Sequence, residues 1–303
     1  MSTLAANPEP APKSGVMRVH SPRGYRIRSL TWKAFLYLML LGLTAFILLP
    51  VGWMLTAALK PDAAPIFTAN TEWWPTKYWN WDNFNRVLTE TMPFLQYVIN
   101  TTIIVVGTII GTLLSCSVVA FAFARLRFRG STVLFTLLII TMLIPWQALM
   151  VPQFLMFYKI GWYGTYLPLI IPSFGGTAFF IFLIRQYMRT IPRDLDDAAR
   201  VDGLSTWQIF RFIILPLSPP VLTVCAVFTF LGSWNNLLGP LIYLDNSDTF
   251  TVSLGLANLV TRAGTPWNLL MAANLIVLIP PVVVYFIVQR KLIGGIASVG
   301  LKG

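Results

Sequence analysis

The chain has 303 residues, of which 56% are hydrophobic and only 11% charged, with a formal net charge of +11. So small a charged fraction, roughly half that of an ordinary soluble domain, excludes a water-soluble globule, which has no interior large enough for this much apolar surface. Cys116 and Cys225 each lie inside an apolar stretch, away from any histidine, and leave no basis for a disulfide framework or a zinc site.

In chain order, residues 1–33 carry Pro8, Pro10, Pro12 and Pro22, together with six basic side chains and His20. They lack the apolar core and small-residue site of a cleaved signal peptide. They are expected to form a retained, disordered cytoplasmic arm ahead of a membrane domain over 34–303. Six blocks free of Asp, Glu, Lys and Arg follow: Ala34 to Leu59, Phe94 to Ala124, Thr132 to Tyr158, Tyr163 to Ile184, Phe212 to Leu244 and Trp267 to Gln289. A bilayer core of about 30 Å needs a helix of about 20 such residues. The expected fold is therefore all-α, a polytopic membrane protein with six transmembrane helices. The second and fifth blocks exceed one span, so part of each is expected at the interface or in a re-entrant turn.

With the N-terminus in the cytoplasm, the arm, the 125–131 loop, the 185–211 loop and the C-terminus fall on one side and hold 17 of the 22 basic residues. Lys60, Lys77, Arg86, Lys159 and Arg262 are left for the other side. That is the positive-inside pattern, and it predicts a multi-pass protein of the bacterial or archaeal plasma membrane with both termini cytoplasmic. It also accounts for the whole positive excess, so the charge calls for no nucleic acid. Arg125, Arg127 and Arg129 then read as a stop-transfer anchor against lipid headgroups. Trp73, Trp74, Tyr78, Trp79 and Trp81, in the outer loop, read as an interfacial aromatic belt.

The longest charged cytoplasmic stretch lies within 188–216. Pro192 suits a first helical position, and Asp194, Asp196 and Asp197 place negative charge at the positive end of a helix. Gly203 supplies a left-handed stop. Ser205 and Gln208 have capping-box spacing and open a second helix that runs to Pro216. On the first helix Leu195, Ala198, Ala199 and Asp202 are expected to share one face, flattened by the two alanines into a docking surface for another protein.

Asp197-Ala198-Ala199, three residues, Gly203, nine residues and Ile213-x-Leu215-Pro216 resemble the EAA signature of binding-protein-dependent ABC import permeases, with Asp in place of the usual first Glu. Asn100-Thr101, Ala124 to Phe128, Ile144-Pro145, Gly232 to Asn235, Gly294-Gly295 and the terminal Lys302-Gly303 are similar to the carbohydrate branch of that family, in particular its maltose-type second permease. The resemblance covers about residues 30–303. It implies an ABC type I importer permease domain over 34–303, with the EAA coupling loop at 188–216 and an ATPase-coupling set of Asp197, Ala198, Ala199, Asp202 and Gly203. It also implies a second homologous permease subunit, two copies of a cytoplasmic ATPase subunit and an extracytoplasmic sugar-binding protein. ATP and Mg would be bound by the ATPase subunits, and none by this chain.

The sequence has no Gly-rich phosphate loop ending in Gly-Lys-Ser or Gly-Lys-Thr, no nucleophile elbow and no metal-spaced histidines. Translocation without covalent chemistry is the expectation. For a sugar, a neutral hydroxylated solute, the candidate pathway residues are Trp146, Gln147, Trp234, Asn235, Asn236 and Asn274, uncharged hydrogen-bonding groups with aromatic faces inside the blocks. Each has an alternative role in bonding helix to helix. The reading from another class is an ion-coupled secondary transporter of a neutral solute, which commonly keeps ionisable groups inside its spans. None of the six blocks contains one.

Overall fold

The computed structural model describes residues 23–62, 66, 73–75, 78–260 and 264–300, with side chains described between 31 and 289. His20, Lys302 and Gly303 fall outside the described residues. Among the described residues every regular element is helical. The chain divides into a unit ending at Gly52 and a second running from Trp53 to Gly303.

Helix α1 (Arg23–Ala58) begins ahead of the first charge-free block, within the segment expected to be a disordered arm. Between residues 31 and 50 its apolar side chains are exposed all round, the pattern of a helix solvated by lipid, while Thr56, Ala57 and Ala58 at its end are buried.

The second unit opens with α2 (Asp82–Arg86) and a π-helical turn over Val87–Thr91. Helix α3 (Phe94–Arg125) is a single unbroken helix of 32 residues. The second block therefore has no re-entrant turn, and at about 1.5 Å per residue the helix is longer than a bilayer core of about 30 Å, which leaves its ends for the interface.

The third block does break. Helix α4 (Ser131–Thr141) and α5 (Trp146–Lys159) meet at 94°. Pro145 sits at the corner with extended backbone, where it has no N–H to give and disfavours helix at Ile144.

A short α6 (Leu167–Ile170), a 3-10 turn over Ile171–Gly175 and α7 (Ala178–Thr190) form the fourth block. Then come α8 (Asp194–Val201), α9 (Thr206–Ile209) and a π turn over Phe210–Ile214. Helix α10 (Pro219–Trp234) starts on two prolines, leaves the preceding helical segment at 81°, and is followed by the separate α11 (Leu238–Tyr243). The fifth block is thus divided, as its length requires. A 3-10 turn over Ser247–Thr249, α12 (Val252–Asn258) and α13 (Trp267–Gly300) complete the chain.

Among the described residues four helical segments are long and apolar enough to cross a bilayer, and each of the two bent pairs supplies one more if counted as a span, which is compatible with six.

Helix α3 is the axis of this unit, packed against α7, α10 and the 3-10 turn between α6 and α7. Small residues permit the approach: a Cβ at Gly111 would fall on the Ser173 hydroxyl and 2.6 Å from the Phe174 ring. Two clusters form along the axis. One joins Phe94 and Tyr97 to Val252, Leu256 and the start of α13. The other joins Cys116, Ala120 and Phe121 to Ile184, Met188, Ile214 and Cys225. Both cysteines are free, buried thiols.

Candidate functional site

The second cluster carries the loop from Ile191 to Leu215 at its edge. Helix α8 is N-capped by Arg193, so Pro192 lies one residue outside the cap rather than at the first helical position expected for it. The reason is local: the Arg193 carbonyl accepts from the amides of Asp196 and Asp197, which makes Arg193 the entry residue. Asp194, Asp196 and Asp197 occupy the first turn and complement the helix dipole.

The helix ends in a paired C-terminal turn. Gly203 has φ +82°, its amide donates to Arg200 O at 3.0 Å, and the Leu204 amide donates to Ala199 O at 2.9 Å. Leu204 packs against the cluster that contains Ala199, the hydrophobic contact that accompanies such a turn. Two residues later the Ser205 hydroxyl accepts from the Gln208 amide while the Gln208 carboxamide oxygen accepts from the Ser205 amide at 2.7 Å, a complete capping box. Phe210 packs against Phe121 of α3 with the rings tilted by 47° and their centroids 5.0 Å apart, so the second short helix is anchored to the long axis.

The inward side of α8 differs from expectation. Asp196 and Ala199, three residues apart on one face, are buried. Ala199 therefore belongs to the core and not to an exposed face shared with Leu195, Ala198 and Asp202. What α8 and its C-cap present to solvent is Asp194, Leu195, Asp197, Ala198, Arg200, Val201 and Asp202, with Val201 at 88% exposure. Asp197 is in ion-pair contact with Arg200 at 2.9 Å, one turn away on the surface.

Asp196 has a partner from another helix. Arg125, the last residue of α3, approaches it at 3.4 Å from Nε to Oδ2, and the two side chains are only 2% and 5% exposed. The same guanidinium donates from Nη2 to Ile191 O at 2.9 Å. In the other direction Arg185 Nε donates to Phe123 O at 3.2 Å and Arg193 Nη2 to Ala124 O at 3.5 Å, using carbonyls that the end of α3 leaves without helical partners. Arg125 is thus not the lipid anchor it was expected to be. Its burial and its partners take it out of the headgroup region, and only Arg127 and Arg129 remain exposed. Beside this junction lies a cleft of about 420 Å³ bordered by Arg127, Arg193, Arg200 and the two aspartates.

The pathway candidates lie on three segments: Trp146 and Gln147 on α5, Trp234, Asn235 and Asn236 at the end of α10, and Asn274 on α13. Trp146 and Gln147 are exposed at the start of α5. Trp234 is buried at 4% exposure, with its indole Nε1 donating to Val277 O and its ring stacked on Phe230. Asn235 Nδ2 donates to Leu231 O, Asn236 Oδ1 accepts from the Gly239 amide, and Asn274 Nδ2 donates to Leu270 O. No hydrogen bond or ring contact joins any two of the six. Trp234 is a packing residue between α10 and α13, because a ring sealed among helices has no free face for a solute.

The profile of the family described as binding-protein-dependent transport system inner membrane component matches residues 107–297, which run from the middle of α3 through the α8 loop into α13. The chain belongs to that family. Among relatives of this binding-protein-dependent permease, the arabinooligosaccharides transport system permease protein AraQ of Halalkalibacterium halodurans is 36% identical over 73% of this chain and 79% of its own. The galactooligosaccharides transport system permease protein GanQ of Bacillus subtilis is 30% identical over 89% of this chain and 95% of its own. In fold the permease matches a chain from the crystal structure of a bacterial ABC transporter involved in the import of the acidic polysaccharide alginate. The TM-score is 0.73 at 22% identity, covering 89% of this chain and 98% of that one.

Proposed function

We propose that this permease is one translocating subunit of an ATP-driven importer that moves a sugar or oligosaccharide, delivered by an external binding protein, into the cytoplasm. Oligosaccharide transport permeases among its relatives, aligned over most of both chains, carry the reading for substrate. A chain from the alginate ABC transporter solved in complex with alginate pentasaccharide-bound periplasmic protein shares the fold at a TM-score of 0.61, which supports a binding-protein partner.

In this reading the short α8 is the element a cytoplasmic ATPase subunit grips. Leu195, Ala198, Val201 and Asp202 form its contact surface, Gly203 sets its angle and Asp197 lies at its rim. A second, homologous permease completes the pathway, and ATP with Mg acts on two ATPase subunits and not on this chain. Both termini and the α8 loop lie in the cytoplasm, a placement supported by the 17 of 22 basic residues on that side. Hydrolysis drives the solute only if the ATPase binds α8 differently in the inward- and outward-open states, since a partner with equal affinity for both shifts nothing.

The test is purification in mild detergent through a tag on this chain. The expected result is a complex containing a second permease and an ATPase, with hydrolysis stimulated by sugar-loaded binding protein. A lone chain active in ion-dependent uptake would overturn the proposal.

A further inference from the structure

The four contacts at the end of α3 form a reciprocal clasp. Arg125 reaches from α3 to Asp196 and the Ile191 carbonyl, while Arg185 and Arg193 reach back to the carbonyls of Phe123 and Ala124. Asp196 lies in the first turn of α8, and Ile191 is the residue at which α7 ends. The other oxygen of Asp196, Oδ1, is buried without a hydrogen bond among the described residues, so the carboxylate is held by charge, and Arg125 is the cation in contact with it.

We propose that Arg125 is the positioning residue of α8, fastening it to α3 so that a displacement of α8 is passed to the long axis of the fold instead of being absorbed in the Ile191–Asp194 turn. The inference rests on the reading of α8 as the ATPase contact.

Two properties make the fastening stiff. The Arg125 guanidinium holds both sides of that turn, by a hydrogen bond from Nη2 to Ile191 O and by charge contact of Nε with Asp196 at 3.4 Å, where Nε has no hydrogen-bond partner among the described residues, and this restrains the turn from hinging. A buried ion pair is also bistable, because either partner separated from the other is an uncompensated charge, so the junction does not stretch by degrees. Helix α3 in turn contacts α7, α10 and the 3-10 turn, which makes it a suitable recipient for the motion. Arg127 and Arg129, two and four residues on and exposed, have no such grip and serve as internal controls.

The experiment uses the whole importer in proteoliposomes, captured through its ATPase so that every measurement is made on assembled complexes. It reads ATPase retention, basal hydrolysis and solute transported per ATP hydrolysed. Asp196→Asn keeps the shape of the side chain and removes its charge, and Arg125→Lys keeps the charge and removes the fork. Both are expected to retain the ATPase and basal hydrolysis while transport per ATP falls about tenfold, within the usual range for a lost coupling between sites.

The deciding variant combines Arg125→Met with Asp196→Leu. Apolar replacement of a whole buried ion pair commonly preserves stability. If the pair served stability alone, this double variant would recover transport. It is expected to assemble fully and remain uncoupled. Normal transport per ATP in the double variant, or in both single variants, overturns the proposal. So does a double variant that yields no complex, since the pair would then be a determinant of folding. If the unmodified complex holds no ATPase at all, the reading of α8 fails first.

Discussion

The indole Nε1 of Trp234, near the end of α10, donates to the backbone carbonyl of Val277 in α13 at 3.3 Å. Ser253 adds a second tie, its hydroxyl donating to the Trp234 carbonyl at 3.1 Å. A large ring held between helices is a packing element, so Trp234→Ala is expected to cost about 3–5 kcal/mol, the range for emptying a buried aromatic site. The loss should appear as a lower yield of folded permease and a lower melting temperature in detergent, while transport per assembled molecule is kept. Normal stability combined with abolished uptake would return Trp234 to the solute pathway.

A polar junction elsewhere in the Trp53–Gly303 unit is organised around Asn83, which is fully buried. Its Nδ2 donates to the carbonyl of Ala58, the last residue of α1, at 2.7 Å and to that of Lys60, two residues beyond, at 2.9 Å. Its Oδ1 accepts from Asn80 at 3.0 Å and Arg86 at 3.3 Å. Asn83→Ala removes all four hydrogen bonds, and although Arg86 keeps Asp62 and Lys60 O keeps Asn268, a buried group left unsatisfied costs about 1–3 kcal/mol. Asn83→Asp should be worse, because it replaces the donor with a second acceptor facing two carbonyls. Thermal aggregation curves in detergent should rank wild type above Asn83→Ala above Asn83→Asp.

Asp62 gives a pH-dependent contribution at the same junction, through Arg86, which donates to both Asp62 and Asn83. The hydrogen bonds from Arg86, at 2.9 and 3.0 Å, and from Asn268, at 2.7 Å, hold its carboxyl below the ordinary value of 3.8. A depressed folded-state value means that the contribution is complete above the ordinary value and is lost as pH falls through the folded one. The melting-temperature gap between wild type and Asp62→Asn should therefore be constant from neutral pH down to about pH 5 and close below about pH 4. The gap is expected to be small, because Asp62 keeps 61% of its side chain exposed and water screens the pair. A gap that widened in acid would mean that the pairing is absent.

Local signals were the legible part of this fold. Ser205 and Gln208 announced a helix start because both halves of a capping box lie within four residues, and Gly203 announced a stop because only glycine reaches its φ freely. Charge-free blocks located the apolar helices, since bilayer solvation acts on composition rather than on particular contacts. What escaped depended on partners distant in sequence. Arg125, Arg127 and Arg129 look alike along the chain, yet Arg125 alone meets a carboxylate from another helix. Asp196 and Ala199 turn inward together although one is charged, which hydrophobic periodicity does not foresee. The corner at Pro145 was not foreseen, since the third block has the length of a single span and nothing local marks the size of the 94° turn.

The last prediction concerns Gly203. Nothing lies within 4 Å of a Cβ built there, so a side chain meets no obstacle, and any effect of replacement comes from the backbone alone. At φ +82° a β-branched residue is strained by about 1–3 kcal/mol. Gly203→Val can relieve that strain only by giving up the amide bonds from Gly203 to Arg200 and from Leu204 to Ala199, which frays the C-terminal turn of α8 and moves Val201 and Asp202. Gly203→Ala should be milder, and Gly203→Asn milder still, since asparagine tolerates the left-handed region. Membrane insertion should be unchanged in all three, because the altered turn lies outside the apolar spans. ATPase retention and hydrolysis stimulated by loaded binding protein should fall in the order Asn, Ala, Val. If Gly203→Val holds the ATPase and transports normally, the angle of α8 is irrelevant to its partner and the loop is not the point of contact.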